Sequence, residues 1–265
     1  MTKVNPKEIT MEENLRQVAE FFLNPPFNSE SRALLYLRGK REDLIVKALQ
    51  NVLQNSRPAD ELKREIPLSK DQIKLWNETL KARGYFKDKS GLRSTKQRGL
   101  IDLAGFDANA NPTMLIEVKA WSATDAVDES RYTNAKQYNH SLLKSFEIDA
   151  LKLLAAGGDQ NINLAIVTAL FTVHCDDMSV SQMKKQKLKF ISLLMKQNRD
   201  KAGIGNSDAY RVAGVNKLTS QFESSFGIGT PFNAKITHVS AFGRSDAIID
   251  GVALSLDLIG AELHP

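Results

Sequence analysis

Between Leu100 and Trp121 the hydrophobic and polar positions alternate with a period of two, the spacing of a half-buried strand. In Met114 to Trp121, Met114, Ile116, Val118 and Ala120 share one face, and Leu115, Glu117, Lys119 and Trp121 share the other. In the run before it Ile101 and Leu103 share a face, while Asp102 looks the opposite way with Ala104 and Phe106. The stretch Asp107 to Pro112 holds an Asp, two Asn and a Pro, which is turn chemistry. Folding the runs back about Asn109 and Ala110 sets Asp102 opposite Glu117, since each is equally far from that midpoint.

Elsewhere the period lengthens to that of helices. Met11 to Leu23 predicts one, stopped by Asn24-Pro25-Pro26, and Glu42 to Gln54 predicts a second. Ala59 to Ile66 reads as a third. Ser69 to Arg83 is a fourth, with Ser69 as cap, Ile73, Leu75, Trp76, Thr79 and Leu80 as its apolar side, and Gly84 as its stop. Gly84 to Arg93 follows as a basic hairpin. Asp128 to Ala156 predicts a long helix whose stripe is Leu142, Leu143, Phe146, Ile148, Leu151, Leu153 and Leu154. Asn161 to Val173 is a β-rich apolar run suited to a buried strand. Beyond residue 200 the pattern thins: Gly203 to Asn206 and Gly227 to Pro231 read as loops, and Ala234 to Leu263 alternates like a strand hairpin.

The charges inside the first two strands change the picture. Two carboxylates on adjacent strands, about 5 Å apart, repel one another unless a cation lies between them. Mg²⁺ suits the place, because it prefers oxygen ligands and is held by one or two carboxylates together with waters and substrate phosphate oxygens. Asp102 and Glu117 are therefore the candidate metal ligands, and Lys119 is placed to orient an attacking water or to neutralise a pentacovalent phosphorane. The plainer reading is a solvated Glu-x-Lys pair on an edge strand.

This constellation, Asp102 in one strand and Glu117-x-Lys119 in the next, resembles the PD-(D/E)xK nuclease superfamily, the fold of many restriction endonucleases and of archaeal Holliday-junction resolvases. Here Ile101 stands where the family often has Pro. The resemblance covers roughly residues 69 to 173 and implies an α/β (α+β) fold. Its restriction-endonuclease-like core would be a mixed central sheet flanked by helices, with a helical N-terminal extension and a C-terminal β hairpin. It implies Asp102, Glu117 and Lys119 as catalytic residues and Mg²⁺ as cofactor. It also makes the Ser69 to Arg83 segment the family's first helix, which often carries one more acid. Glu78 is preferred for that role over Asp71, with Glu42 also in view.

Composition narrows the partners. At 265 residues the chain can bury a substantial core. No apolar stretch reaches membrane length and the N-terminus lacks a signal-peptide pattern, so no membrane partner and a cytoplasmic location are expected. Cys175 is the sole cysteine, which excludes an internal disulfide, and His140, His174, His238 and His264 lack metal-ligand spacing. The net charge of +5 favours a polyanion. Basic residues gather at Lys81 to Arg98, beside the proposed strands, and at Lys184 to Lys201, read as a helix with its cations outward.

The expected organisation is residues 1–68 as a helical region that reads DNA, 69–175 as the nuclease core, and 176–265 as a basic helix with strands that complete the fold or recognise DNA. The expected function is a Mg²⁺-dependent endonuclease acting on double-stranded DNA, of the type II restriction kind and a homodimer. A structure-specific repair or recombination nuclease is the near alternative. The alternative of another class is a non-catalytic regulator, with three helices and the basic hairpin forming a winged helix.

Overall fold

The computed structural model describes residues 10–23, 41–85, 99–127, 142–158, 162–174, 207–244 and 253–264. In chain order these form α1 (Met11–Leu23), α2 (Arg41–Ser56), β1 (Glu61–Pro67), α3 (Lys70–Ala82), β2 (Leu100–Phe106), β3 (Pro112–Ser122), α4 (Ala123–Val127), α5 (Leu142–Gly157), β4 (Asn163–His174), α6 (Ser207–Phe226), β5 (Lys235–Arg244) and β6 (Ala253–Leu263). The six strands make one open sheet in the order β1-β2-β3-β4-β6-β5. Neighbours are antiparallel except β3 and β4, which run parallel and are joined through α4 and α5, so the sheet is mixed.

The sheet is apolar on both faces, and a helical layer covers each. On one side Leu15, Val18 and Phe22 of α1 and Ile45, Leu49 and Val52 of α2 bury Leu103, Ile116, Val118, Val167 and Leu258. On the other, α3, α5 and α6 bring Trp76, Phe146, Leu151, Leu218 and Phe222 onto Leu115, Ile166, Leu170 and Ile259. Phe146, Phe222, Phe226 and Phe232 stack edge to face in a chain with centroids 4.7–5.4 Å apart. Both faces of β4 are therefore buried, as its unbroken apolar run requires. Among the described residues no helix is long and apolar enough to cross a membrane.

The β2–β3 turn follows the chemistry of its residues. Asp107 Oδ1 accepts the backbone N–H groups of Asn109 and Asn111, and Ala110 takes the left-handed conformation at φ 62°. A register irregularity at Gly105 and Phe106 absorbs the odd residue. The ladder then runs Gly105 to Met114, Ala104 to Leu115 and Leu103 to Ile116, the expected register up to its last pair, and just beyond it Asp102 meets β3 through its side chain.

Several elements differ from expectation. Ala59 to Ile66, read as a helix, is largely the edge strand β1, whose alternate burial suits a strand with one covered face. The three-helix order of a winged helix is thereby broken. The helix at Ser69 does form, fixed by a capping box between Ser69 and Gln72. It lies between β1 and β2, and the helix ahead of the antiparallel strands is α2. Ile73, Trp76 and Leu80 are its buried side, while Leu75 is exposed, because α3 meets the rest of the protein mainly through α5. Ile101 and Leu103 belong to different apolar clusters: alternation breaks at Asp102, opposite Glu65, which sits at φ 54°. The strands β5 and β6 pair as a hairpin would, yet β6 also pairs with β4, so they are part of the main sheet. Helix α6 was not foreseen. The predicted basic hairpin beyond Tyr85, the 184 to 201 helix, residues 128–141 of the long helix, His140 and Cys175 lie outside the described residues.

Candidate active site

Near Leu103 and Ile116 the β2–β3 ladder ends while β3 continues to Ser122. Peptide groups two residues apart point out of the same side of a strand, so the Val118 and Ala120 N–H groups both face the gap that β2 leaves. Carboxylates take the place of the missing strand. Asp102 Oδ2 accepts the Val118 N–H at 2.7 Å, and Glu42 Oε1, from the first turn of α2, accepts the Ala120 N–H at 3.4 Å. The acids thus gather where one strand parts from its neighbour, a place where backbone donors need acceptors.

Between Asp102 and Glu42 along that edge, Glu117 and Lys119 turn toward α5. Glu117 is only 1% exposed. The Lys119 ammonium lies 3.1 Å from Asp149 Oδ2, and Lys152, one turn further along α5, places its ammonium 2.7 Å from Glu117 Oε2 and 3.5 Å from Asp149 Oδ1. Asp149 and Lys152 stand three apart on the helix and so share a face. Thr168, in register with Lys119 across β3 and β4, is fully buried and its hydroxyl has no hydrogen-bond partner.

Four carboxylates, Glu42, Asp102, Glu117 and Asp149, thus surround two ammoniums. With every group ionised the cluster carries two uncompensated negative charges, with Glu117, Asp149 and Lys152 buried, Asp102 and Lys119 half-buried, and Glu42 at the exposed rim. Burial drives the Glu117 carboxyl well above its ordinary range, Asp149 and Asp102 push it further, and Lys152 and Lys119 only partly offset this. Burial likewise raises Glu42. For Lys119 burial acts to depress the ammonium, but the fields of Asp149, Glu117, Glu42 and Asp102 outweigh it, so its proton is held more tightly than in a free lysine. Lys119 is therefore a permanent cation at neutral pH, suited to attract and neutralise negative charge and unsuited to take up a proton.

Neither oxygen of Glu117 has a hydrogen bond of good geometry, despite the nearby Lys152 ammonium. Buried carboxylate oxygens left this way are uncommon, and a divalent ion is one partner that would satisfy them. Among the described residues no three of His, Cys, Asp and Glu stand close enough together to hold an ion by themselves. Two carboxylates are what Mg²⁺ ordinarily takes from a protein, with water and phosphate oxygens completing the shell. The donor set thus fits Mg²⁺ and is too sparse for a tightly caged metal.

Asp102, Glu117 and Lys119 are brought together, as the register requires. Glu78 and Asp71 are not: both are exposed on α3, and neither is among the charges acting on Glu117 or Lys119. Because α3 turns Trp76 inward to donate its indole N–H to the Ile148 carbonyl at 3.1 Å, Glu78 is left facing solvent. Glu42 is the further acid that reaches the cluster. Asp149, Lys152 and Thr168 were missed, although a charged pair three apart within the apolar stretch Ile148 to Leu153 is a legible signal.

A second polar cluster lies under α6. Asp257 of β6 is fully buried and receives both arms of the Arg211 guanidinium at 2.8 Å, the Ser240 hydroxyl at 2.5 Å and a contact from His238 Nε2 at 3.1 Å. One and the same His238 nitrogen meets both Asp257 and Ser240, so the imidazole cannot pass a proton from a serine to its other nitrogen in the manner of a hydrolytic triad. The group is a clasp that ties α6 to β5 and β6. The chain matches no family model, no curated protein and no solved structure.

Proposed function

We propose that this protein is a Mg²⁺-dependent endonuclease that hydrolyses phosphodiester bonds of double-stranded DNA. We propose further that its fold is restriction-endonuclease-like and that it works as a type II restriction-type homodimer in the cytoplasm. The observation that carries this reading is the convergence of Asp102, Glu117 and Lys119 at the point where β2 leaves β3, with an unsatisfied, buried Glu117 at its centre. The mixed sheet covered by helices on both faces, in which β3 leads through α4 and α5 to the parallel β4, also supports it, since the resemblance implies a mixed central sheet flanked by helices.

In this reading Asp102 and Glu117 hold the ion. When bound, Mg²⁺ would supply Lewis-acid polarisation of the scissile phosphate and make nearby water a stronger acid. Lys119, fixed as a cation by Asp149, orients the attacking water and stabilises the charge that grows on the phosphorane oxygens. Glu42 completes the ring of carboxylates and holds the open edge of β3 in place. The exclusion of water around Glu117 strengthens each of these interactions.

The test is to incubate purified protein with supercoiled plasmid with and without Mg²⁺, beside Asp102→Asn. Nicked or linear product that needs Mg²⁺ and is lost in the variant supports the reading. Discrete fragments indicate sequence recognition, and preference for branched or flapped substrates indicates a repair or recombination nuclease. DNA binding without Mg²⁺ and without cleavage under any condition would overturn the assignment in favour of a regulator.

A further inference from the structure

Lys152 is the least expected residue of the site. Its side chain is only 7% exposed, in the middle of α5, where a lysine ordinarily carries its ammonium out to water. The ammonium donates a hydrogen bond to the Leu100 carbonyl at 2.9 Å and lies within ion-pair range of two carboxylates, 2.7 Å from Glu117 Oε2 and 3.5 Å from Asp149 Oδ1. The Trp76 ring faces it at 5.9 Å. Burying a lone cation so deeply is costly, and the fold offsets that cost with one hydrogen bond and two nearby carboxylates.

The partners show what the ammonium is for. Leu100 opens β2, Glu117 lies on β3, and Asp149 is on α5 together with Lys152 itself, so one cation ties the two strands and the helix from which the site is built. Without it, four carboxylates would face one ammonium, Lys119. Lys152 lies 2.7 Å from Glu117 Oε2, and Oε1 has neither a hydrogen bond nor a cation at that distance among the described residues.

We infer that Lys152 is a resident counter-cation and a positioning residue: it keeps the carboxylates assembled in the absence of metal, presents Glu117 through its other oxygen, and by its charge weakens the hold of the site on a divalent ion. This rests on the metal-binding reading above. The sign follows from Coulomb's law, since an ammonium and a dication sharing one carboxylate in a water-poor site repel each other strongly. The consequence for function is a site that stays folded when empty and that takes up its ion firmly only when a DNA phosphate adds negative charge.

The experiment compares wild type with Lys152→Gln, which removes the charge but keeps a donor for the Leu100 carbonyl, and with Lys152→Arg, which keeps the charge. Each protein is stripped of metal by chelation and titrated with Mn²⁺ and with Mg²⁺ by calorimetry, and thermal midpoints are measured with and without each ion. In Lys152→Gln, Mn²⁺ is expected to bind about tenfold more tightly or better. Its midpoint should be lower than wild type in chelator and should rise further on adding the ion. Lys152→Arg should stay with wild type in affinity. Equal or weaker binding by Lys152→Gln, where wild type does bind, overturns the counter-cation role and leaves the metal reading standing. Absence of divalent binding in every protein sinks the metal reading itself. If Lys152→Gln does not fold in chelator, recovery of folded protein on refolding with Mg²⁺ or Mn²⁺ supports the inference, and failure to recover overturns it.

Discussion

The Asp102 carboxylate accepts the Val118 backbone N–H at 2.7 Å, so a side chain on β2 makes the hydrogen bond that the β2 backbone no longer makes. The same contact fixes the acid beside Glu117. Charge and hydrogen bond can be separated by substitution, because an asparagine carbonyl can accept the same N–H. Asp102→Asn should leave the thermal midpoint within a few degrees of wild type and lower the cleavage rate by about 10²-fold or more, as expected when an electrostatic group of a hydrolytic site is neutralised. A plasmid-cleavage time course together with a melting curve checks both. A variant that folds normally and cleaves at the wild-type rate would remove Asp102 from the mechanism.

Lys119 has two duties that a single variant can expose. Lys119→Ala should abolish cleavage while leaving DNA affinity nearly intact, since its ammonium is held by Asp149 inside the site. It should also lower stability by about 1–3 kcal/mol, because Asp149 Oδ2 loses its nearest cation in a buried setting. Binding isotherms on a DNA duplex and urea unfolding measure the two effects. Equal loss of cleavage and affinity would make Lys119 a phosphate-binding residue.

The raised Glu117 and Glu42 carboxyls set the direction of a pH effect in metal-free protein. Their folded pKa lies above the unfolded one, so between the two values the folded chain binds more protons. Stability from these groups is present in full below the unfolded value and is lost as pH rises through the folded one. In chelator, the midpoint should therefore fall as pH is raised from the ordinary glutamate range upward. Glu117→Gln should flatten that fall and raise the midpoint at alkaline pH by about 2 °C or more. Melting curves across a pH series test it, and an unchanged slope in the variant would contradict the assignment.

Asp257 behaves in the opposite sense. Burial would raise its carboxyl, but hydrogen bonds from His238, Arg211 and Ser240 outweigh that and hold it below the usual carboxylate range. Its stabilising effect is present above the unfolded aspartate value and is lost as pH falls through the depressed folded one, a window well separated from that of Glu117. Asp257→Ala should cost about 3 kcal/mol, the usual result of removing one partner from a buried charged pair. The cost should appear in urea unfolding at neutral pH, with cleavage of DNA preserved wherever the variant is folded.

What the sequence by itself determined is local. The alternation over β3, the turn residues Asp107, Asn109 and Asn111 that lead into it, and Ser69 as a helix cap are rules of neighbouring residues, and they were legible together with the β2–β3 register from Leu103 to Gly105. Even α6 left a signal in the row Tyr210, Gly214, Leu218, Phe222 and Phe226, one residue in four, which its glycine and its serines obscure. Tertiary structure decided the rest. Glu61 to Pro67 carries charges that suit a helix surface equally well, and it is a strand because β2 offers it an edge. Glu42 reaches the site, and Glu78 does not, because of where each helix packs on the sheet. Asp149 and Lys152 lie within an apolar helix, and only the packing of that helix on β3 turns two costly buried charges into the partners of Lys119 and Glu117.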